Sequence, residues 1–81
     1  MLTIKVLYFA HLVDRTGVRE ETVALSGNSI RDLKSELVSR HAKLQDSLDA
    51  CRVAIDEEFA VSDSALSEGQ TVAFIPPVSG G

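Results

Sequence analysis

Apolar side chains alternate from the first residues of the chain. In "LTIKVLYFA", Ile4, Val6 and Tyr8 fall on one side, and Lys5, Leu7 and Phe9 on the other. A period of two in β-branched and aromatic residues predicts a strand, buried on both faces at its far end. "AHLVDRTGVRE" holds one helical turn ending near Gly17, where glycine suits a left-handed cap. "EETVAL" is a second strand, hairpin-paired with the first, and "SGN" breaks the chain. The period then changes. Ile30, Leu33, Leu37 and Val38 stand at i, i+3, i+7 and i+8. They make one face of a helix over about residues 30–41, with Arg31, Lys34, Glu36 and Arg40 on the wet side. Ser29 is its N-cap, and Asp32, three residues on, makes a weak capping box. "KLQDSLDA" adds a short turn with Leu44 and Leu48 inward. "CRVAID" is a third strand, "DEE" a tight acidic turn and "FAV" a short return strand. "SDSALSEGQ" is a polar loop into which Leu66 dips, and "TVAFI" is the last strand.

One helix laid across one sheet is the smallest layout that buries the apolar faces of both. The first and last strands are the most apolar, which predicts that they lie side by side and parallel in the sheet centre. The expected fold is α+β, a ubiquitin-like β-grasp over residues 1–75, followed by an extended tail over residues 76–81.

Length and charge narrow the function. A chain of 81 residues is one domain, and 44% hydrophobic residues suit a globular one. A core of this size leaves only a few kcal/mol of net stability. The net charge of −4 argues against a nucleic-acid binder and against an anionic membrane surface. No signal peptide is visible in "MLTIKVLYFA", and nothing approaches the roughly 20 apolar residues of a membrane span. Cys51 stands alone, with no internal partner for a disulfide and no metal spacing around it. A reducing, cytoplasmic setting fits.

Side-chain chemistry is sparse. Cys51 leads into an apolar strand and reads as core rather than nucleophile. His11 and His41 are distant in sequence and lack a third ligand, so both read as surface residues and no metal is expected. Asp56, Glu57 and Glu58 read as solvated turn acids, since no base, nucleophile or glycine loop accompanies them. There is no Ser-His-Asp order and no phosphate loop.

The chain ends "AFIPPVSGG". Pro76 removes a backbone donor and Pro77 fixes φ, so the sheet cannot continue. Two prolines hold an extended segment that costs little entropy to immobilise. Residues 76–81 reach roughly 20 Å from the body at ~3.3 Å each. Gly80 and Gly81 have no Cβ and can thread a channel too narrow for any other residue. The group delivered at its end is the α-carboxylate of Gly81, which suits activation by ATP followed by acyl transfer.

The opening "IKVLYFA", the close "LSEGQTVAFIPPVSGG" and the length resemble the small subunits of molybdopterin synthase, the MoaD-type sulfur carriers, over the whole chain. The resemblance implies that a relative of the ubiquitin-activating enzymes adenylates Gly81. A persulfide sulfur then displaces AMP and leaves a thiocarboxylate. Pro76, Pro77, Val78, Ser79 and Gly80 would thread the tail into a large subunit, in a tetramer of two small and two large chains. There the sulfur converts a cyclic pyranopterin monophosphate to the molybdopterin dithiolene. The family's ending usually has Thr where this chain has Ser79, a mild departure because both carry a hydroxyl. The resemblance places Phe9, Phe59 and Ile75 on the hydrophobic docking surface near the tail; the strand pattern alone allows core or interface. It implies a subunit with no activity of its own and no bound cofactor, ATP being used by the activating partner. Two other readings stay open: a ubiquitin-like modifier joined through Gly81 to lysines, and a binding module that uses the proline tail as a docking peptide. A sulfur carrier for another pathway, of the thiamine or cysteine type, is a further alternative; the related thiamine carriers also end in Gly-Gly but are shorter and lack the double proline.

Overall fold

β1 (Leu2–Tyr8) forms over the alternating segment, and Ile4, Val6 and Tyr8 are buried. The structure, a computed structural model, describes residues 1–60 and 64–77. At the end of β1 the chain turns sharply at Ala10, with φ 54° and ψ −133°. Leu12 N–H donates to Phe9 O at 3.1 Å, closing a tight turn that carries Leu12 into the core. α1 (His11–Thr16) follows and stops at Gly17, whose φ of 80° lets its N–H return to Val13 O. β2 (Glu20–Leu25) then runs back antiparallel to β1.

α2 (Ile30–Arg40) starts where its cap was expected. Ser29 Oγ accepts from Asp32 N–H at 3.1 Å and donates to Asp32 Oδ2 at 2.9 Å. Asn28 N–H donates to the same carboxylate oxygen at 3.1 Å. These bonds, Ser29 first and then Asn28, hold the Asp32 carboxyl below the usual carboxylate range. Gly27 makes room for the cap, because a Cβ there would stand 2.1 Å from Asp32 Oδ2. Gly27→Ala is therefore expected to push Asp32 out of the cap and lower the melting temperature at neutral pH by a few degrees. A carboxyl depressed in the fold stabilises above its unfolded pKa, and that stabilisation is lost as pH falls through the folded value. The gap between the two proteins should thus narrow below the carboxylate range, as paired thermal melts at both pH values will show.

Two 3₁₀ turns, Ala42–Leu44 and Leu48–Ala50, set Leu44 and Leu48 into the core. β3 (Arg52–Ile55), β4 (Glu58–Phe59) and β5 (Thr71–Ile75) complete a five-stranded sheet in the order β2-β1-β5-β3-β4. β5 runs parallel to β1, with Lys5 opposite Thr71 and Tyr8 opposite Phe74, and antiparallel to β3. Leu33 and Leu37 of α2 pack with Val72 and Phe74 in one core, which Leu66 enters from its loop. Among the described residues no helix is long and apolar enough to cross a membrane.

Three expectations change. β1 is not buried on both faces at its far end: Leu7 is half-buried and the adjoining Phe9 is exposed, because α2 covers only one side of the sheet. The return strand is Glu58–Phe59 rather than Phe59–Val61; the two-residue turn at Asp56–Glu57 starts pairing one residue earlier. Val61 lies outside the described residues. His41 is not a free surface residue. Its Nε2 lies 2.8 Å from Glu21 Oε2, and its ring meets Tyr8 edge-on at 6.2 Å between centroids.

Candidate functional site

The sheet face turned away from α2 carries the exposed apolar residues. Strand register builds it: Leu7 of β1 lies opposite Ala73 of β5, Ala73 opposite Ala54 of β3, and Ala54 opposite Phe59 of β4. Side chains alternate along each strand, so these four share one face. The two alanines form a low floor between Leu7 and Phe59. Phe9 and Ile75 stand further along, where β1 and β5 end side by side. The result is a shallow concavity of about 440 Å³ lined by Leu7, Phe9, Ala54, Phe59, Ala73 and Ile75, with Thr71, Asp56 and Glu57 at one end.

Its walls are unusually exposed for aromatic residues. Phe59 is 60% accessible and Phe9 45%, while Ile75 is half-buried. Arg52, opposite Ile75 in register, places its guanidinium 4.6 Å from the Phe59 ring centroid. A weakly hydrated cation over an aromatic face keeps that ring in place while leaving its edge free. Sequence reasoning named Phe9, Phe59 and Ile75 but missed the alanine floor and Arg52. The outward phase of "TVAFI" and "CRVAI" was the signal for both.

The tail starts beside this face. Ile75 lines the concavity, Pro76 is buried and Pro77 is exposed. Val78, Ser79, Gly80 and Gly81 lie outside the described residues.

The remaining chemical groups serve the fold. On the helix side, Glu21 Oε2 accepts from the Tyr8 hydroxyl and pairs with His41, and Arg40 Nη1 lies 3.8 Å from Glu21 Oε1. Burial first, and the Glu21 carboxylate second, push the Tyr8 phenol far above its ordinary range, so it only donates here. The knot ties β1, β2 and the end of α2 together; no spacing in the sequence announces it. Cys51 is half-buried, and its thiol donates to Ser47 O at 3.2 Å. Burial raises its pKa, against the smaller pull of Lys34. A thiol kept protonated is a poor nucleophile. Among the described residues no three His, Cys, Asp or Glu side chains are grouped to hold a metal ion.

The model of the ThiS family matches residues 6–81. A molybdopterin synthase sulfur carrier subunit from Chlamydomonas reinhardtii is 37% identical, covering 99% of this chain and 100% of its own. A solved structure described as a molybdopterin converting factor subunit 1 from Pyrococcus furiosus superposes with TM-score 0.86 at 31% identity, covering 96% of this chain and 100% of that one. The small archaeal modifier protein 1 of Haloferax volcanii superposes with TM-score 0.85 at 25% identity, covering 96% and 100%.

Proposed function

The chain belongs to the ThiS family, and from that premise we propose that it is the sulfur carrier subunit of molybdopterin synthase. The observation that carries the reading is the root of the tail. β5 is a central strand, held on both sides by β1 and β3, and it ends at Ile75 on the rim of an exposed apolar concavity. A tail leaving from there projects next to a surface suited to a partner. The body supplies docking, the prolines supply direction, and the terminal glycines supply passage.

The chemistry then belongs to the Gly81 carboxylate. An activating partner joins it to AMP from ATP, releasing pyrophosphate. A persulfide sulfur attacks the acyl carbon and AMP leaves; a thiol cleaves the resulting S–S bond, and a thiocarboxylate remains. Docked on the large subunit, that sulfur attacks a carbon of the pterin precursor and displaces an oxygen substituent; water then cleaves the acyl C–S bond, so the carboxylate returns and the sulfur stays on the product. On this reading the catalytic acids and bases stand on the partners. Pro77, Val78, Ser79 and Gly80 line the threaded arm, with Pro76, buried against the body, at its root; Phe9, Phe59 and Ile75 form the docking face. Residues 1–75 act as the folded body and 76–81 as the arm.

Mass spectrometry after incubation with ATP, the activating enzyme and a persulfide donor tests this. Sulfur in place of one terminal oxygen is expected, and Cys51→Ser should acquire it to near the wild-type extent, because the sulfur travels on the carboxyl carbon. Sulfur found on Cys51 in the wild type, or a folded Cys51→Ser that gains none, would move the chemistry to the side chain. The likeness to the archaeal modifier favours one second reading, in which the same activated Gly81 is joined to a lysine amine. A ladder of conjugates in cell extracts, with no thiocarboxylate, would select it.

A further inference from the structure

Resting on the docking reading above, we infer that Glu57 is a specificity-determining contact on the docking face, meeting a lysine or arginine of the partner protein. β3 and β4 are joined by two residues only, since Ile55 pairs with Glu58. Asp56 and Glu57 both have positive φ, 49° and 72°. A two-residue hairpin loop of this kind is a type I′ turn, which favours Asn or Asp followed by glycine. Asp56 suits its place. Glu57 occupies the glycine place, at a standing conformational cost that glycine would not carry.

The three acids of this turn do not work as one group. Asp56 is tied to β5: its N–H donates to Thr71 O at 2.8 Å, and its Oδ1 accepts from Thr71 N–H at 2.9 Å. Glu58 pairs with Ile55, which packs against the core, so it belongs to the other face of the sheet. Glu57 lines the outer concavity with Phe59 and Ile75. Among the described residues its carboxylate makes no hydrogen bond or ion pair.

An unengaged carboxylate on the lip of an apolar concavity, in a chain of net charge −4, complements a cation set beside an apolar patch. Charges at the rim of an interface act mainly on encounter rate and register. The partner is therefore a protein surface, apolar at the centre and basic where it faces the β3–β4 turn.

The test uses the full-length chain and its cognate molybdopterin synthase large subunit. Association rates are measured by stopped flow at low and high salt, affinities by calorimetry, and stability by thermal melts. Glu57→Gln is expected to melt like the wild type, to associate about fivefold more slowly at low salt, and to show a flatter salt dependence. Glu57→Gly is expected to melt about 4 °C higher and yet associate as slowly as Glu57→Gln. Stability and binding moving in opposite directions is not the behaviour of a residue that merely forms a turn. A wild-type association rate for Glu57→Gln, alongside lost binding for Phe59→Asp, would leave the docking face in place and remove Glu57 from it. Wild-type binding by Phe59→Asp as well would overturn the docking face itself.

Discussion

Adding a single alanine after Gly81 is expected to abolish adenylation almost completely while leaving the fold untouched. The extension changes no residue of the body, in which Pro76 is the last buried position among the described residues. It moves the carboxylate about 3.5 Å along an extended chain. It also sets a methyl group where a channel shaped for glycine has no room. A misplacement of about 1 Å at a reacting centre can cost a hundredfold, so a shift of this size should leave little activity. Deleting Gly81 should fail for the opposite reason, the arm then being one residue short. ATP–pyrophosphate exchange with the cognate activating enzyme measures the loss, and a thermal melt checks that both variants unfold with the wild type. Near-normal exchange by the extended chain would mean that the terminal carboxylate is not the activated group.

Phe59→Asp is expected to weaken binding to the large subunit by about 2 kcal/mol or more, roughly thirtyfold in Kd, without unfolding the free chain. Phe59 is 60% accessible and sits on a two-residue edge strand, so its ring contributes little to the core. Arg52, already 4.6 Å from that ring, is placed to accept an aspartate in its stead. Docking, by contrast, would bury the ring and strand a carboxylate in an apolar contact. Circular dichroism of the free variant and calorimetry with the partner separate the two effects. An unfolded free chain would assign Phe59 to the core, and an unchanged Kd would clear this face of a docking role.

Much of this molecule is legible in its sequence, for reasons that differ by element. α2 was readable because Ile30, Leu33 and Leu37 repeat at helical spacing and Ser29 and Asp32 mark its start, and both signals are local. The central parallel pair was readable because "IKVLY" and "TVAFI" are too apolar for edge strands. The far end of β1 was misjudged as buried on both faces, and the strand pattern left Phe9 open between core and interface, because apolarity does not say which face a layer will cover; only the single helix decides that. His41 was misread because its partner Glu21 is twenty residues away, and a lone histidine carries no mark of a distant carboxylate. The positive φ at Ala10 and Glu57 was invisible for a related reason. Neither residue prefers that conformation, and the turns are imposed by the strands around them. Of the candidate site, the order of the tail residues stands in the sequence itself, with Val78 to Gly81 outside the described residues, whereas the concavity exists only once four strands are in register.

The central place of β5 also decides how the molecule bears load. A partner that grips the arm pulls on β5 along its own axis. β1 and β3 flank that strand, so such a pull drags β5 past both neighbours at once. Ladder hydrogen bonds lie across the strands, and sliding strains many of them together instead of opening them one after another. An edge strand such as β2 or β4, drawn away from the sheet, would instead peel from one end. On the proposed reading the arm is thus anchored in shear, and tension applied to it spreads through the middle of the sheet before any strand comes loose.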